Sequence, residues 1–140
     1  MTLRVSTTYL IDTLQDARAR TLELVNGLDQ VQLMGPKIPG VNPLRWEIGH
    51  IAYFYEFFIL RQLYGHESIL GAKADELYDS IAVAHDTRWD LPLLSMAETL
   101  TYMQDVLDKL CEHLICNLSL IHISEPTRQA EISYAVFCLK

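Results

Sequence analysis

The sequence predicts an all-α helical bundle over residues 1–117. Three observations carry this. Apolar residues recur at three- and four-residue steps in long segments. Helix-capping or helix-breaking residues bound those segments. No segment shows the two-residue alternation of a half-buried strand.

The first helix is expected from about Ser6 to Leu28. Leu10, Leu14, Ala17, Thr21, Leu24 and Leu28 fall on one face, and Asp12, Gln15, Asp16, Arg20 and Glu23 on the other. Ser6, Thr7 or Thr8 provides a capping oxygen, and Gly27 stands where the helix can end. Gly35, Pro36, Pro39 and Gly40 make Met34 to Val41 a loop. A second helix then starts with Asn42 as N-cap and Pro43 at the first helical position, where a missing N–H costs nothing. Its run from Trp46 to Tyr64 is apolar on nearly all sides, which predicts burial on more than one face, and Gly65 ends it.

The stretch from Gly71 to Leu94 has no regular period. A short helical turn is expected near Ala74, and Pro92 closes the segment. Connections this long inside a compact domain are often functional. The third helix opens on Ser95-Met96-Ala97-Glu98, a capping box in which serine and glutamate satisfy each other's backbone N–H. Leu100, Met103, Leu107, Leu110 and Leu114 continue it as a core-facing stripe to about Ile115. The long connections after the first and second helices argue against a plain up-down hairpin chain.

Residues 118–140 do not continue that stripe. Leu118–Lys140 resembles the in-frame translation of a sequencing-library adapter. Its first part matches a transposase adapter end, Ile132 to Lys140 match the flow-cell end, and Gln129-Ala130-Glu131 stand where a sample index lies. The competing reading is a natural C-terminal strand or helix. The segment is set aside as an artefactual tail, which removes His122 and Cys138 from the candidate ligands.

Eleven basic residues against eighteen acidic ones give a net charge of −7. That argues against nucleic acid and against an anionic membrane surface, both of which need a basic face. No apolar run approaches a membrane span, and no export signal opens the chain. Cys111, Cys116 and Cys138 show no metal or redox spacing. Reduced thiols in the cytoplasm are the expectation.

Four histidines lie outside the tail: His50, His66, His85 and His113. His50 sits on an apolar helix between Trp46 and Tyr53, next to Gly49. Glycine inside a helix costs about 1 kcal/mol and points to a close approach by something else. A lone histidine in that setting reads first as a satisfied core residue, and the chain has no H-x-x-H or H-x-x-x-H pair to complete a metal site. His66 reads as a solvated loop residue, and His113 as a favourable partner for a helix C-terminus. His85 and Arg88, with Asp86 and Asp90 nearby, read either as a local salt-bridge cluster or, for Arg88, as a carboxylate clamp. Trp46, Trp89 and the tyrosines read as core and interface aromatics.

The run Asn42-Pro43-Leu44-Arg45-Trp46-Glu47-Ile48-Gly49-His50, followed by Tyr53, Phe54, Tyr55 and Glu56, resembles the second-helix motif of the ergothioneine-type sulfoxide synthases. Leu77-Tyr78-Asp79-Ser80, Arg88-Trp89-Asp90-Leu91-Pro92 and Thr101-Tyr102-Met103 resemble later landmarks of that family, and the W-E-I-G-H form is also similar to its selenoneine-synthase branch. The resemblance spans nearly all of Thr7 to Leu114. It implies a DinB-like four-helix bundle, here lacking its fourth helix, and a C-terminal domain like the formylglycine-generating enzyme in the parent protein. It further implies iron(II) held by three histidines, with oxygen used to join sulfur or selenium to trimethylhistidine. On this resemblance His50 matches the first iron ligand. The other two ligands belong to an H-x-x-x-H pair on the fourth helix. Arg88 matches the second arginine of a pair that holds the carboxylate of the thiol substrate, and His85 stands in the place of the first. A chain with one such histidine is expected to be inactive by itself. Two other readings remain open: a stand-alone DinB-like metal-dependent thiol transferase, and a non-catalytic helical interaction module.

Overall fold

In the computed structural model, which describes residues 5–116, Ser6 Oγ accepts the Tyr9 N–H at 3.1 Å and starts helix α1 (Thr7–Val25). No residue of α1 is fully buried. Leu14 and Val25 pack against the core, whereas Leu24, expected on the inner face, is 78% exposed. Phase explains the correction. At ~100° per residue, Val25 lies about 20° from the direction of Leu14, and Leu24 about 80° away.

A single helical turn, α2 (Gln30–Met34), precedes the glycine- and proline-rich loop. Asp29 and Gln32 form its capping box, and Leu33 is buried. One turn is too short to register as an apolar period, so α2 was not anticipated.

Helix α3 (Leu44–Tyr55) starts one residue later than expected. The Pro43 carbonyl accepts the Glu47 N–H at 3.0 Å, which makes Pro43 the N-cap. Asn42 is therefore not the cap. Its amide donates to Glu47 and its oxygen accepts from Arg88. From Glu56 to Leu63 the helix widens into a π-helix, ended by Gly65 at φ 71°. Glu56 and Leu60, four apart on that widened turn, are both fully buried, while Phe58 on the far side is exposed. The expectation of burial on more than one face thus holds for most of the run and fails at Phe58.

The irregular segment contains α4 (Ala72–Tyr78) and a 3-10 turn (His85–Thr87). Ala74, Leu77 and Tyr78 of α4 are buried against α3. Helix α5 (Met96–Cys116) begins with the predicted capping box: Ser95 N–H donates to Glu98 at 2.8 Å, and Glu98 N–H to Ser95 at 3.2 Å. Its deepest face is Thr99, Tyr102, Met103, Val106 and Leu110. Leu100, Leu107 and Leu114 of the expected stripe are only half-buried beside it.

The centre of the fold is the α3–α5 pair, with α1 laid against α5 and α2 and α4 against α3. Trp46, Ile48, Ala52, Leu77, Tyr78, Tyr102 and Val106 make up much of the core. Between α1 and the central pair runs an apolar cleft lined by Leu14, Ala17, Thr21, Ile51, Val106 and Leu107. Arg45 ties the ends together, donating to the Leu94 carbonyl at 2.6 Å, the Leu93 carbonyl at 3.0 Å and the Gln30 side chain at 3.0 Å. Among the described residues there is no strand, and no helix long and apolar enough to cross a membrane. The expected tail, with His122 and Cys138, lies outside them.

Candidate functional site

His50 stands on α3 in a row of aromatic neighbours that helical spacing supplies. Trp46, one turn earlier, stacks on it with ring centroids 4.6 Å apart and planes 14° apart. Tyr53 and Phe54, one turn later, each lie at 6.4 Å. The His50 Nδ1 is 2.8 Å from the Tyr78 carbonyl oxygen. A carbonyl only accepts, so in the neutral ring Nδ1 carries the hydrogen and Nε2 carries the lone pair. Histidines that bind metals are held this way, with the second nitrogen anchored to a carbonyl or carboxylate.

Tyr78 reaches His50 because Gly49 has no side chain. A Cβ on Gly49 would lie 2.2 Å from Tyr78 Cε1. The close approach anticipated at Gly49 is thus that of a tyrosine ring. The indole Nε1–H of Trp46 donates to the Leu77 carbonyl at 2.7 Å. The end of α4 therefore orients both Trp46 and His50 through consecutive backbone carbonyls.

Arg88 extends the stack, its guanidinium lying 3.9 Å from the Trp46 ring centroid. It is 7% exposed. It donates to Asn42 Oδ1 at 2.7 Å and to the carbonyls of Ser80 and Val83 at 3.2 and 3.0 Å. Its Nε is buried with no partner among the described residues. Burial lowers its pKa. His85 Nε2 lies 2.8 Å from the Val41 carbonyl, and its ring meets Trp89 edge-on at 5.3 Å. The expected salt-bridge cluster does not form: among the described residues neither His85 nor Arg88 pairs with Asp86 or Asp90. Both side chains turn instead to backbone carbonyls, Arg88 to Ser80 and Val83 in its own segment and His85 to Val41 across the fold.

Trp46 thus joins His50 to Arg88, while His85 makes no hydrogen bond or ring contact with His50 among the described residues. Beside this stack lies a second polar group. Tyr53 Oη donates to Asp75 Oδ1 at 2.8 Å, and Arg61 binds both Asp75 oxygens at 2.8 and 3.1 Å. The Arg61 hydrogen bond holds the Asp75 carboxyl below its ordinary pKa, and burial pushes the Tyr53 hydroxyl up. Tyr53 and Asp75 were not singled out from the sequence, because residues 22 apart carry no shared pattern.

The stack around Trp46 offers a metal one well-oriented imidazole, that of His50. No group of three histidine, cysteine, aspartate or glutamate side chains among the described residues converges on a point. They do not by themselves complete a site for iron(II).

A family model described as the DinB superfamily matches residues 13–115. Among curated relatives, a protein named hercynine oxygenase from Mycobacterium tuberculosis is 36% identical over 91 residues, covering 64% of this chain and 21% of that protein. Hercynine oxygenases from Mycolicibacterium smegmatis and Mycolicibacterium thermoresistibile are 33% and 34% identical over 108 residues, covering 75% and 69% of this chain. The chain spans 24% and 23% of those two.

Proposed function

We propose, starting from the membership of this chain in the DinB superfamily, that it forms the helical part of an oxygen-using synthase. That synthase joins sulfur, or selenium, to the imidazole of trimethylhistidine with iron(II). The relatives named hercynine oxygenase support the substrate class, since hercynine is the trimethylated betaine of histidine. The single observation that carries the reading is His50. Its Nδ1 is anchored on the Tyr78 carbonyl, which leaves Nε2 as the nitrogen to ligate.

Each neighbour has a role in this reading. Trp46 holds the imidazole plane by stacking. Gly49 admits Tyr78, whose carbonyl sets the tautomer. Arg88 and His85 belong to the wall that meets the carboxylate of a thiol substrate. A carboxylate meets the Arg88 guanidinium at its Nε–H, which has no partner among the described residues, or by displacing Asn42 or one of the carbonyls it now holds. Bound iron would supply the oxygen chemistry. In this reading His50 would be one of its ligands.

The internal engagement of Arg88 favours one rival, a non-catalytic helical module in which His50 is only packed. The test is His50→Ala in the proposed full synthase, with iron content and oxygen uptake measured on trimethylhistidine and a thiol. Loss of both, with helical circular dichroism intact, is the expected result. Undiminished iron content in the variant sinks the proposal. Iron binding without oxygen uptake in the wild type points instead to a metal-dependent thiol transferase.

A further inference from the structure

His66 and His113 are 47 residues apart, yet the fold brings their rings together. His66 follows Gly65, whose φ of 71° turns the chain off the π-helix. The His66 N–H then bonds to the Leu60 carbonyl at 2.9 Å, which fixes its backbone on the helix end. His113 stands in the last turns of α5. Tyr64 stacks on its ring at 3.8 Å with planes 10° apart. Between these supports the two Nε2 atoms face each other at 2.6 Å, with the ring planes 71° apart. The solvated loop residue and the helix-end partner expected from the sequence are one pair.

We propose that His66 and His113 form a two-imidazole binding site for a late first-row divalent metal: copper(II), zinc(II) or nickel(II). In the absence of metal, one Nε2–H donates to the other Nε2 lone pair. Metal binding needs both lone pairs, so the donor ring shifts its hydrogen to Nδ1, a tautomer change with no change of charge. Metal–nitrogen distances of about 2.0–2.1 Å put two neighbouring ligand nitrogens roughly 3.0–3.4 Å apart. The pair therefore opens by less than about 1 Å to admit the ion. Imidazole suits these metals, whereas calcium and magnesium require oxygen donors. Water fills the remaining positions, because no third histidine, cysteine, aspartate or glutamate converges there among the described residues.

Both rings sit on backbone already held in place, so little order is lost on binding. Once bound, the ion ties the segment after the π-helix to the end of α5. Its affinity for the folded chain then raises stability by mass action. His50 lies elsewhere on α3, in the Trp46–Tyr53 stack, and takes no part.

The test uses the 140-residue chain stripped with chelator and titrated with copper(II). Electron paramagnetic resonance reads the nitrogen ligands, and thermal melting with zinc(II) reads the linkage. The wild type is expected to show two-nitrogen coupling and a raised melting temperature. His66→Ala and His113→Ala each lose the two-nitrogen signature and more than about tenfold in affinity, since even outer-shell changes cost 10–100-fold. His50→Ala keeps both. An unchanged signature in His66→Ala, or its loss in His50→Ala, overturns the proposal. His66 is a loop residue, so His66→Ala decides alone if His113→Ala fails to fold.

Discussion

The ring of Tyr78 occupies the space that a side chain on Gly49 would need: a Cβ there would lie 2.2 Å from Tyr78 Cε1. The carbonyl of the same tyrosine accepts from His50. One close approach therefore packs α4 on α3 and orients the candidate ligand.

Gly49→Ala tests that contact. Helix propensity favours alanine by about 1 kcal/mol. Overpacking against a fully buried ring costs about 1–3 kcal/mol. A net loss of up to about 2 kcal/mol in denaturant unfolding is expected. A stabilised Gly49→Ala would mean that Tyr78 moves aside freely.

Arg88→Ala removes three hydrogen bonds and the stack on Trp46, leaving the Ser80 and Val83 carbonyls and Asn42 without their donor. A loss of about 2–4 kcal/mol is expected. Arg88→Lys should recover only part of it, because an ammonium cannot reproduce the planar fork. Unfolding midpoints that barely change in Arg88→Ala would mean that the residue does not hold the fold.

The Asp75 carboxyl is held below its ordinary value of 3.8, first by the Arg61 hydrogen bond. A depressed folded-state pKa gives stability that is present above the unfolded value and is lost as pH falls through the folded one. The wild type should therefore lose stability below about pH 4 more steeply than Asp75→Asn. The pair is half-exposed, so screening keeps the difference under about 1 kcal/mol. Parallel pH–stability curves for the two proteins would remove Asp75 from the account.

Glu56 is fully buried on the π-helix and accepts from the Ile69 N–H and the Tyr102 hydroxyl. Glu56→Leu leaves the buried Tyr102 hydroxyl and the half-buried Ile69 N–H unpaired and should cost about 2–4 kcal/mol. Adding Tyr102→Phe removes one of those donors and should return part of the loss. Purely additive effects in that double-mutant cycle would deny the contact.

The local grammar of the chain was enough for its long helices. Ser6, the Ser95–Glu98 box and Gly65 mark ends that the structure keeps, because a cap is settled by residues within one turn of each other. The family motif around Trp46-Glu47-Ile48-Gly49-His50 was equally legible, since it lies on one continuous helix. Which face of α1 turned inward was blurred by the drift of phase over its length, and the π-widening after Tyr55 has no apolar period of its own. Asn42 read as a cap and became a bridge between Glu47 and Arg88.

By itself the sequence determined an all-α chain, its three main helices and His50 as the residue to watch. Tertiary structure alone decided that the Tyr78 carbonyl sets the His50 tautomer, that Arg88 is held inside, and that His66 meets His113. Those decisions join side chains to backbone atoms or to residues many positions away. A carbonyl carries no residue identity, and such a pairing leaves no periodic trace along the chain, so only the packed fold brings the partners within bonding distance.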